Sequence, residues 1–348
     1  MPRPVVSALK VGNLIDKGQF GSVHEGIHPI HGPVAIKIFE RLPTEIDKDW
    51  NQRKDDLLAE GQRLKDAEHE RIVRVYDISH DAIEDKIYLV LEFCQNGSLK
   101  KSYSKGPSSF IAVRNWVADI ALGLGCIHSR DLLHRDIKPA NILIGSDGRA
   151  KLGDFGLVTD NIVLGYGSMK GYSDHIAIEV WSNRRTSIKS DIWALGMTVY
   201  RLLHGQTYYE ELEPARNRVC YGGYANCLKW LPHIPKSWRS FVKKCMNDDP
   251  SKRFQNAQQV LSAVSTLPSE PEWSCNYSSK ETIWHLHRNI RNYIVTHTVH
   301  SVRRHEWHAF SLPVSGSGKR RLLGKSESII GKNKALKELE DFFRNFKK

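Results

Sequence analysis

With 348 residues, 40% of them hydrophobic and 26% charged, the chain is long enough for two or more lobes around a sizeable core, which excludes disordered and fibrous classes. Its formal net charge of +12 is uneven: residues 270–348 hold fifteen Lys/Arg against eight Asp/Glu, a segment that either attracts nucleic acid, anionic lipid or acidic protein, or is a solvated basic surface. Six scattered cysteines without a Cys-x-x-Cys pair, no run near the ~20 apolar residues of a membrane span, and a start, "MPRPVVSALKVGNL", without a secretory apolar core together predict a reducing cytoplasmic setting and no membrane partner.

In chain order, "NLIDKGQFGSVHEGI" alternates around glycines and predicts a hairpin, with Gly18 and Gly21 near its turn and Val23 following. These glycines serve either a plain turn or a loop whose amides approach a phosphate. "VAIKIF" at 34–39, "RIVRVYDI" and "IYLVLEF" predict strands. Lys37, among Val34, Ala35, Ile36 and Ile38, is either a solvent-facing charge or needs an anionic partner. Glu60, on the helix predicted over 49–66, is the candidate. "NGS" at 96–98 breaks the strand pattern, and the chain turns helical. Ile111, Trp116, Val117, Ile120, Leu124 and Ile127 share one predicted face. "KSDIWALGMTVYRLLHG" predicts an apolar helix ended by Gly205, and "PKSWRSFVKKCMNDD" and "NAQQVLSAVSTL" predict two more.

"LPSEPEW" predicts a linker. Beyond it "TIWHLH", "YIVTHTVHSV" and "HEWHAFSLPV" predict strands, and the last helix places Leu336, Leu339, Phe343 and Phe346 on one face. "SGSGKR" lacks the Ser/Thr that follows Lys in a phosphate-binding loop, so it is an ordinary loop. The histidine pairs His285/His287 and His305/His308 predict a wet sheet face rather than metal ligands. Basic residues interleaved with Trp284, Tyr293 and Trp307 suit either a nucleic-acid surface or a docking or packing module.

The chemistry concentrates in "HRDIKPAN" at 134–141 and "KLGDFG" after it. Asp136 and Asp154 are carboxylates at the ends of short β segments, with Asn141 between them. Hard oxygen donors of this kind either form turns or hold Mg²⁺ on phosphates. The ordered set of Gly loop, strand Lys, helix Glu, Asp-Lys-Asn and Asp-Phe-Gly resembles the eukaryotic-type serine/threonine protein kinases over roughly residues 10–267. The matching stretches are "GQFGSV", "VAIK", Glu60 before "HERIV", "HRDIKPAN", "DFG", "AIE", "SDIWALG" and "DPSKRF". Lys-Pro after the Asp resembles the serine/threonine branch rather than the tyrosine branch.

The resemblance implies a bilobal α+β fold: an N-lobe over 1–95, a C-lobe over 96–269, and an appended basic α+β domain over 270–348. It implies ATP- and Mg²⁺-dependent phosphorylation of Ser/Thr in protein substrates. Asp136 would accept or orient the proton of the substrate hydroxyl, and Lys138 would neutralise the transferred phosphoryl group. Asn141 and Asp154 would hold Mg²⁺. Lys37, fixed by Glu60, would pair with the α/β-phosphates under Gly18 and Gly21. Val23, Ala35 and Leu143 would sandwich the adenine, with Leu91 behind it and the Glu92–Cys94 backbone at its edge. Arg135 would pair with a phosphate on the activation segment, residues 154–179, which holds Thr159, Ser168, Tyr172 and Ser173, or else with a carboxylate such as Asp160.

There are departures from the family pattern. Asp16 stands at the first loop glycine, Ile178 of "AIE" at a proline, His175 at a Tyr and Tyr172 at a Thr. Glu179 should still pair with Arg253. A pseudokinase scaffold and a small-molecule kinase are the alternatives, the first opposed by the intact Lys37, Asp136, Asn141 and Asp154. For the basic tail, a polyanionic partner or nucleic acid competes with a helix face packed on the large lobe.

Overall fold

The computed structural model describes residues 9–18, 21–154, 173–183, 185–315 and 318–346. The first lobe is an antiparallel sheet of order β1-β2-β3-β5-β4, built from β1 (Lys10–Gly18), β2 (Gly21–His28), β3 (Gly32–Phe39), β4 (Val75–Asp81) and β5 (Lys86–Glu92). The period-2 pattern of β3 sends Val34, Ile36 and Ile38 to one face, where they meet Tyr88 and Val90 of β5. On the other side, Ile87, Leu89 and Phe39 join Trp50, Leu57 and Leu64 of α1 (Asp47–Asp66). β4 starts later than "RIVRVYDI" suggests. Ile72 and Val73 leave the sheet and pair with Leu152 across the lobe boundary, where Val73 N donates to Leu152 O at 2.8 Å.

The second lobe holds α2 (Leu99–Lys105), α3 (Phe110–His128), the ribbon β6 (Ile142–Ile144) and β7 (Ala150–Leu152), α4 (Ile178–Asn183) and α5 (Ile188–Glu210). The single turns α6 (Arg216–Val219) and α7 (Tyr224–Cys227) follow, then α8 (Lys236–Cys245) and α9 (Ala257–Ser265). Helix α3 buries Phe110, Val113, Val117, Ile120, Leu124 and Ile127, at the alternating three- and four-residue spacing of a helix stripe. Ile111 lies off that stripe and is 42% exposed, contrary to the face expected for it. By length and composition α3 could cross a membrane, but its apolar stripe is filled by the lobe's own core. Helix α5 opens on a capping box between Ser187 and Ser190. Its regular path breaks at Gly205, where φ is +75° and a Cβ would lie 2.4 Å from the carbonyl carbon of Gly106.

The C-terminal residues form a second five-stranded antiparallel sheet, order β12-β11-β10-β9-β8, and a closing helix. Its strands are β8 (Ser274–Tyr277), β9 (Glu281–Arg288), β10 (Arg291–Ser301), β11 (Arg304–Pro313) and β12 (Arg321–Lys325), followed by α10 (Lys332–Asn345). The short β8 and β12 fell below what periodicity reveals. Helix α10 buries Ala335, Leu339 and Phe343, while Leu336 is only half-buried. Phe346 packs on Trp273 and Tyr293 at 5.1 and 5.2 Å.

"LPSEPEW" is not a free linker. Trp238 Nε1 donates to Pro268 O at 2.8 Å, and Trp273 is 4% exposed. His233 of the second lobe lies 5.8 Å from Trp284 and 6.0 Å from Phe343, and Arg239 pairs with Glu340 at 2.7 Å. The C-terminal sheet therefore extends the core of the helical lobe. His285 and His287 face solvent as expected, but His305 is 2% exposed and stacks on His297. Periodicity put His305 on the wet face; the pleat puts it inside, opposite Val299.

Candidate active site

The register of the β6–β7 ribbon builds the site. Pairing Ile142 with Leu152 brings the residue before β6, Asn141, beside the residues after β7, and Gly153 N donates to Asn141 O at 2.9 Å. Asn141 and Asp154 thus converge from positions thirteen apart. Asn141 Nδ2 donates to Asp136 O at 2.9 Å and to Asp136 Oδ2 at 2.7 Å, which fixes the carboxylate and turns the amide oxygen of Asn141 away from it. Lys138 Nζ donates to the same Oδ2 at 2.6 Å. One carboxylate, one cation and one amide are thereby held as a unit.

His134 and Asp191 hold the loop from behind. His134 Nε2 donates to Gly153 O at 3.1 Å and its Nδ1 accepts from Asp136 N at 3.3 Å. Asp191, buried in α5, accepts from the backbone amides of His134 at 2.9 Å and Arg135 at 2.8 Å, and from His128 Nε2 at 2.9 Å. Burial raises the carboxyl's affinity for a proton, yet these hydrogen bonds outweigh it and hold its pKa below the usual carboxylate range. The helix expected over "SDIWALG" is confirmed, but Asp191 within it is a functional residue that the sequence pattern alone leaves without a role. The signal was there, as an acid inside an otherwise apolar helical run.

The expected Lys37–Glu60 pair is not formed. Lys37 Nζ pairs with Asp154, and Glu60 pairs with Arg135 Nη1 at 3.1 Å. Arg135 has φ of +66°, and its guanidinium reaches α1. The side chain of Glu60 is 14% exposed; burial raises its pKa, and the Arg135 charge only partly offsets this. Each charge has taken a nearby opposite charge, and two candidate site residues, Lys37 and Glu60, are held apart as a pair.

Above this floor, Ala35 lies opposite Leu91 and Val23 opposite Lys37 in the first sheet. Leu143, on β6, bridges to Ser98. Gly21 is required by packing, since a Cβ there would lie 1.9 Å from Ile38 O. Gly18 pairs with Gly21, and the two residues between them lie outside the described set. The Asp16 carboxylate folds back to accept from Lys17 N at 2.9 Å. Glu92 sends its carboxylate to Lys151 Nζ at 2.7 and 2.8 Å, and its own amide donates to Arg74 O. Cys94 accepts from Gly97 N at 3.0 Å. Its own amide has no partner among the described residues, so it is available to a ligand edge.

Burial, assisted by the Glu92 charge, pushes the Cys94 thiol up to about 12. With iodoacetamide at pH 7.5, Cys94 should therefore react much more slowly than the exposed Cys220 and Cys227. Peptide mass spectrometry of the time course checks this; equal rates would show that the thiol is not sequestered.

Glu179 meets Arg253 as expected, through two hydrogen bonds of 2.7 Å, and Arg253 Nε donates to Asn247 O at 2.6 Å. His175 is buried and takes a hydrogen bond of 2.7 Å from Arg201 at Nε2; burial, then the Arg201 charge, lower its pKa well below the ordinary value. Thr159, Asp160, Ser168, Tyr172 and the side chain of Ser173 lie outside the described residues.

Residues 9–264 match the protein kinase domain. Cell division control protein 7 of Schizosaccharomyces pombe is 32% identical over 253 residues, 72% of this chain and 23% of that protein. Mitogen-activated protein kinase kinase kinase YODA of Arabidopsis thaliana is 32% identical over 259 residues, 72% of this chain and 28% of its own length. Hormonally up-regulated neu tumor-associated kinase homolog A of Xenopus laevis is 30% identical over 264 residues, covering 74% and 37%. The chain thus spans well under half the length of these curated relatives, and the family match ends before the C-terminal sheet.

Proposed function

The chain belongs to the protein kinase family, and from that premise we propose that it transfers the γ-phosphoryl group of ATP to serine and threonine hydroxyls of proteins. The observation that carries this reading is the unit formed by Asp136, Lys138 and Asn141, clamped from below by Asp191. In this reading Asp136 orients the substrate hydroxyl and takes its proton, while the Lys138 ammonium, 2.6 Å away, balances charge on the phosphoryl group in transfer. Positioning and electrostatics are most of what phosphoryl transfer asks of a protein.

The donor set fits Mg²⁺: the carboxylate of Asp154 and the amide oxygen of Asn141, which is turned away from Asp136, are hard ligands brought together by the β6–β7 ribbon. The ion would supply charge neutralisation on the nucleotide phosphates. Val23, Ala35, Leu91 and Leu143 suit the adenine ring, and the Cys94 amide, unpaired among the described residues, suits its hydrogen-bonding edge.

The exchanged ion pairs support control through the segment 154–179. Arg135 is engaged by Glu60. A phosphate on Thr159, Ser168, Tyr172 or Ser173 would compete for that guanidinium and release Glu60 toward Lys37. Six cysteines, none in a disulfide, support a reducing, cytoplasmic setting.

Asp154→Ala tests the nucleotide site directly. It should abolish the Mg²⁺-dependent part of binding of a fluorescent ATP analogue, measured by titration with and without EDTA. Equal Mg²⁺ dependence in the variant and the natural protein would remove Asp154 from the metal site.

A further inference from the structure

The C-terminal unit carries a groove far in sequence from the candidate active site. It lies between β12 and α10 as an open trough of about 610 Å³, and has Trp307, Leu323, Phe342 and Phe346 as its apolar lining. Trp307 is fixed in place: Nε1 donates to Glu338 Oε2 at 2.8 Å, and the ring packs on Phe342 with centroids 5.7 Å apart. Gly324 also lines it, and a Cβ there would stand 2.9 Å from the rim of the Trp307 ring. The absence of a side chain at that point keeps the trough open.

β12 is the last strand of its sheet. It pairs with β11 from Arg321↔Ser311 to Lys325↔His308, and no described strand lies on its other side. Its outer row of amides and carbonyls is a pairing template. The edge is also strongly basic, with Lys319, Arg320, Arg321 and Lys325 within seven residues. Arg320 lies over the Phe310 ring at 3.7 Å, and none of the four forms an ion pair among the described residues. Of the three acids that line the groove, Glu338 is engaged by Trp307 and, at 3.9 Å, by Lys334, and Asp341 by Arg344, while Glu327 forms no ion pair among the described residues and is outnumbered by the four basic residues of the edge. Basic residues on an edge can serve only to discourage aggregation. An edge that needs protection alone has no use for a rigid aromatic trough beside it.

We propose that this edge and groove bind an acidic peptide segment in extended form, added to β12 as a further strand. Backbone pairing supplies affinity, aliphatic side chains enter the groove against Trp307 and Phe342, and acids along the segment meet the basic residues of the edge, of which Lys325 lies at the groove. The occupant is a segment of a partner protein. The site is independent of the phosphoryl-transfer reading and would serve recruitment.

The test uses the full chain and a short fluorescein-labelled peptide of alternating Glu and Ile, read by anisotropy. Binding should weaken by roughly tenfold or more when the central Ile is replaced by Pro, which removes an amide, and again in the double variant Arg321→Glu/Lys325→Glu. Hydrogen exchange at residues 322–324 should slow when the peptide is bound. Melting temperature and activity on a short substrate peptide should stay unchanged in the double variant, since both side chains are exposed or rim-placed. The proposal is overturned if the peptide does not bind, if the Pro peptide binds equally well, or if the double variant retains full affinity. It is also overturned if a single-stranded oligonucleotide of equal charge displaces the peptide while leaving exchange at β12 unprotected, because that outcome marks a general polyanion surface.

Discussion

Asp136→Asn should lower phosphoryl transfer by about two to four orders of magnitude while nucleotide binding stays close to that of the natural protein. The substitution keeps shape and leaves one oxygen to accept from Lys138 or Asn141. It removes the base that takes the substrate proton and leaves the Lys138 charge without its neighbour. Because the loop is anchored independently through Asp191 and the His134 and Arg135 amides, the variant should fold normally. Transfer rate and nucleotide affinity measured on the same preparation separate the chemistry from binding. An unchanged rate would mean that Asp136 does not face the nucleophile.

Phe343→Ala should destabilise the whole chain by about 3–5 kcal/mol, a fall in melting temperature on the order of 10 °C. The Phe343 ring lies 5.3 Å from Trp273, 5.1 Å from Trp284 and 6.0 Å from His233, so it joins the closing helix, the second sheet and the helical lobe. Replacing the ring by a methyl group leaves a cavity among residues that belong to one continuous core. Ending the chain near Pro268 should be worse, because it exposes His233 and the surroundings of Trp238, both buried. Leu336→Ala, at a half-buried position, should have a small effect. Differential scanning calorimetry distinguishes the alternatives. A first-lobe-and-second-lobe transition that is unmoved by Phe343→Ala would mean that the C-terminal unit is a separate body.

The strands and long helices were legible because their hydrophobic periods are long and clean, as in β3 and α3. The kinase-like residues were legible because their order is distinctive; the structure brings Asp136, Lys138 and Asn141 together and Asn141 beside Asp154 through a three-residue ribbon that no periodicity could place. What sequence could not give was which charge pairs with which. Lys37 and Glu60 each had a carboxylate or a cation within reach besides one another, and their choice depends on the backbone turn at Arg135, where φ is positive. Nor could it show that the segment before Trp273 is pinned. Pro-, Ser- and Glu-rich composition reads as a spacer, yet one indole hydrogen bond from Trp238 and one buried ring at Trp273 fasten it to the helical lobe. The buried His297–His305 pair was missed for a similar reason, since the face of a residue in a strand follows from register with its neighbours.

The measurement that bears most directly on the central claim is phosphoamino acid analysis of a mixed protein substrate incubated with the full chain, Mg²⁺ and γ-labelled ATP. Label is expected on serine and threonine, none on tyrosine, and that label should be lost in Asp136→Asn. Label confined to tyrosine would contradict it, as would label that persists unchanged in Asp136→Asn, or no protein label at all from a preparation that binds ATP with Mg²⁺.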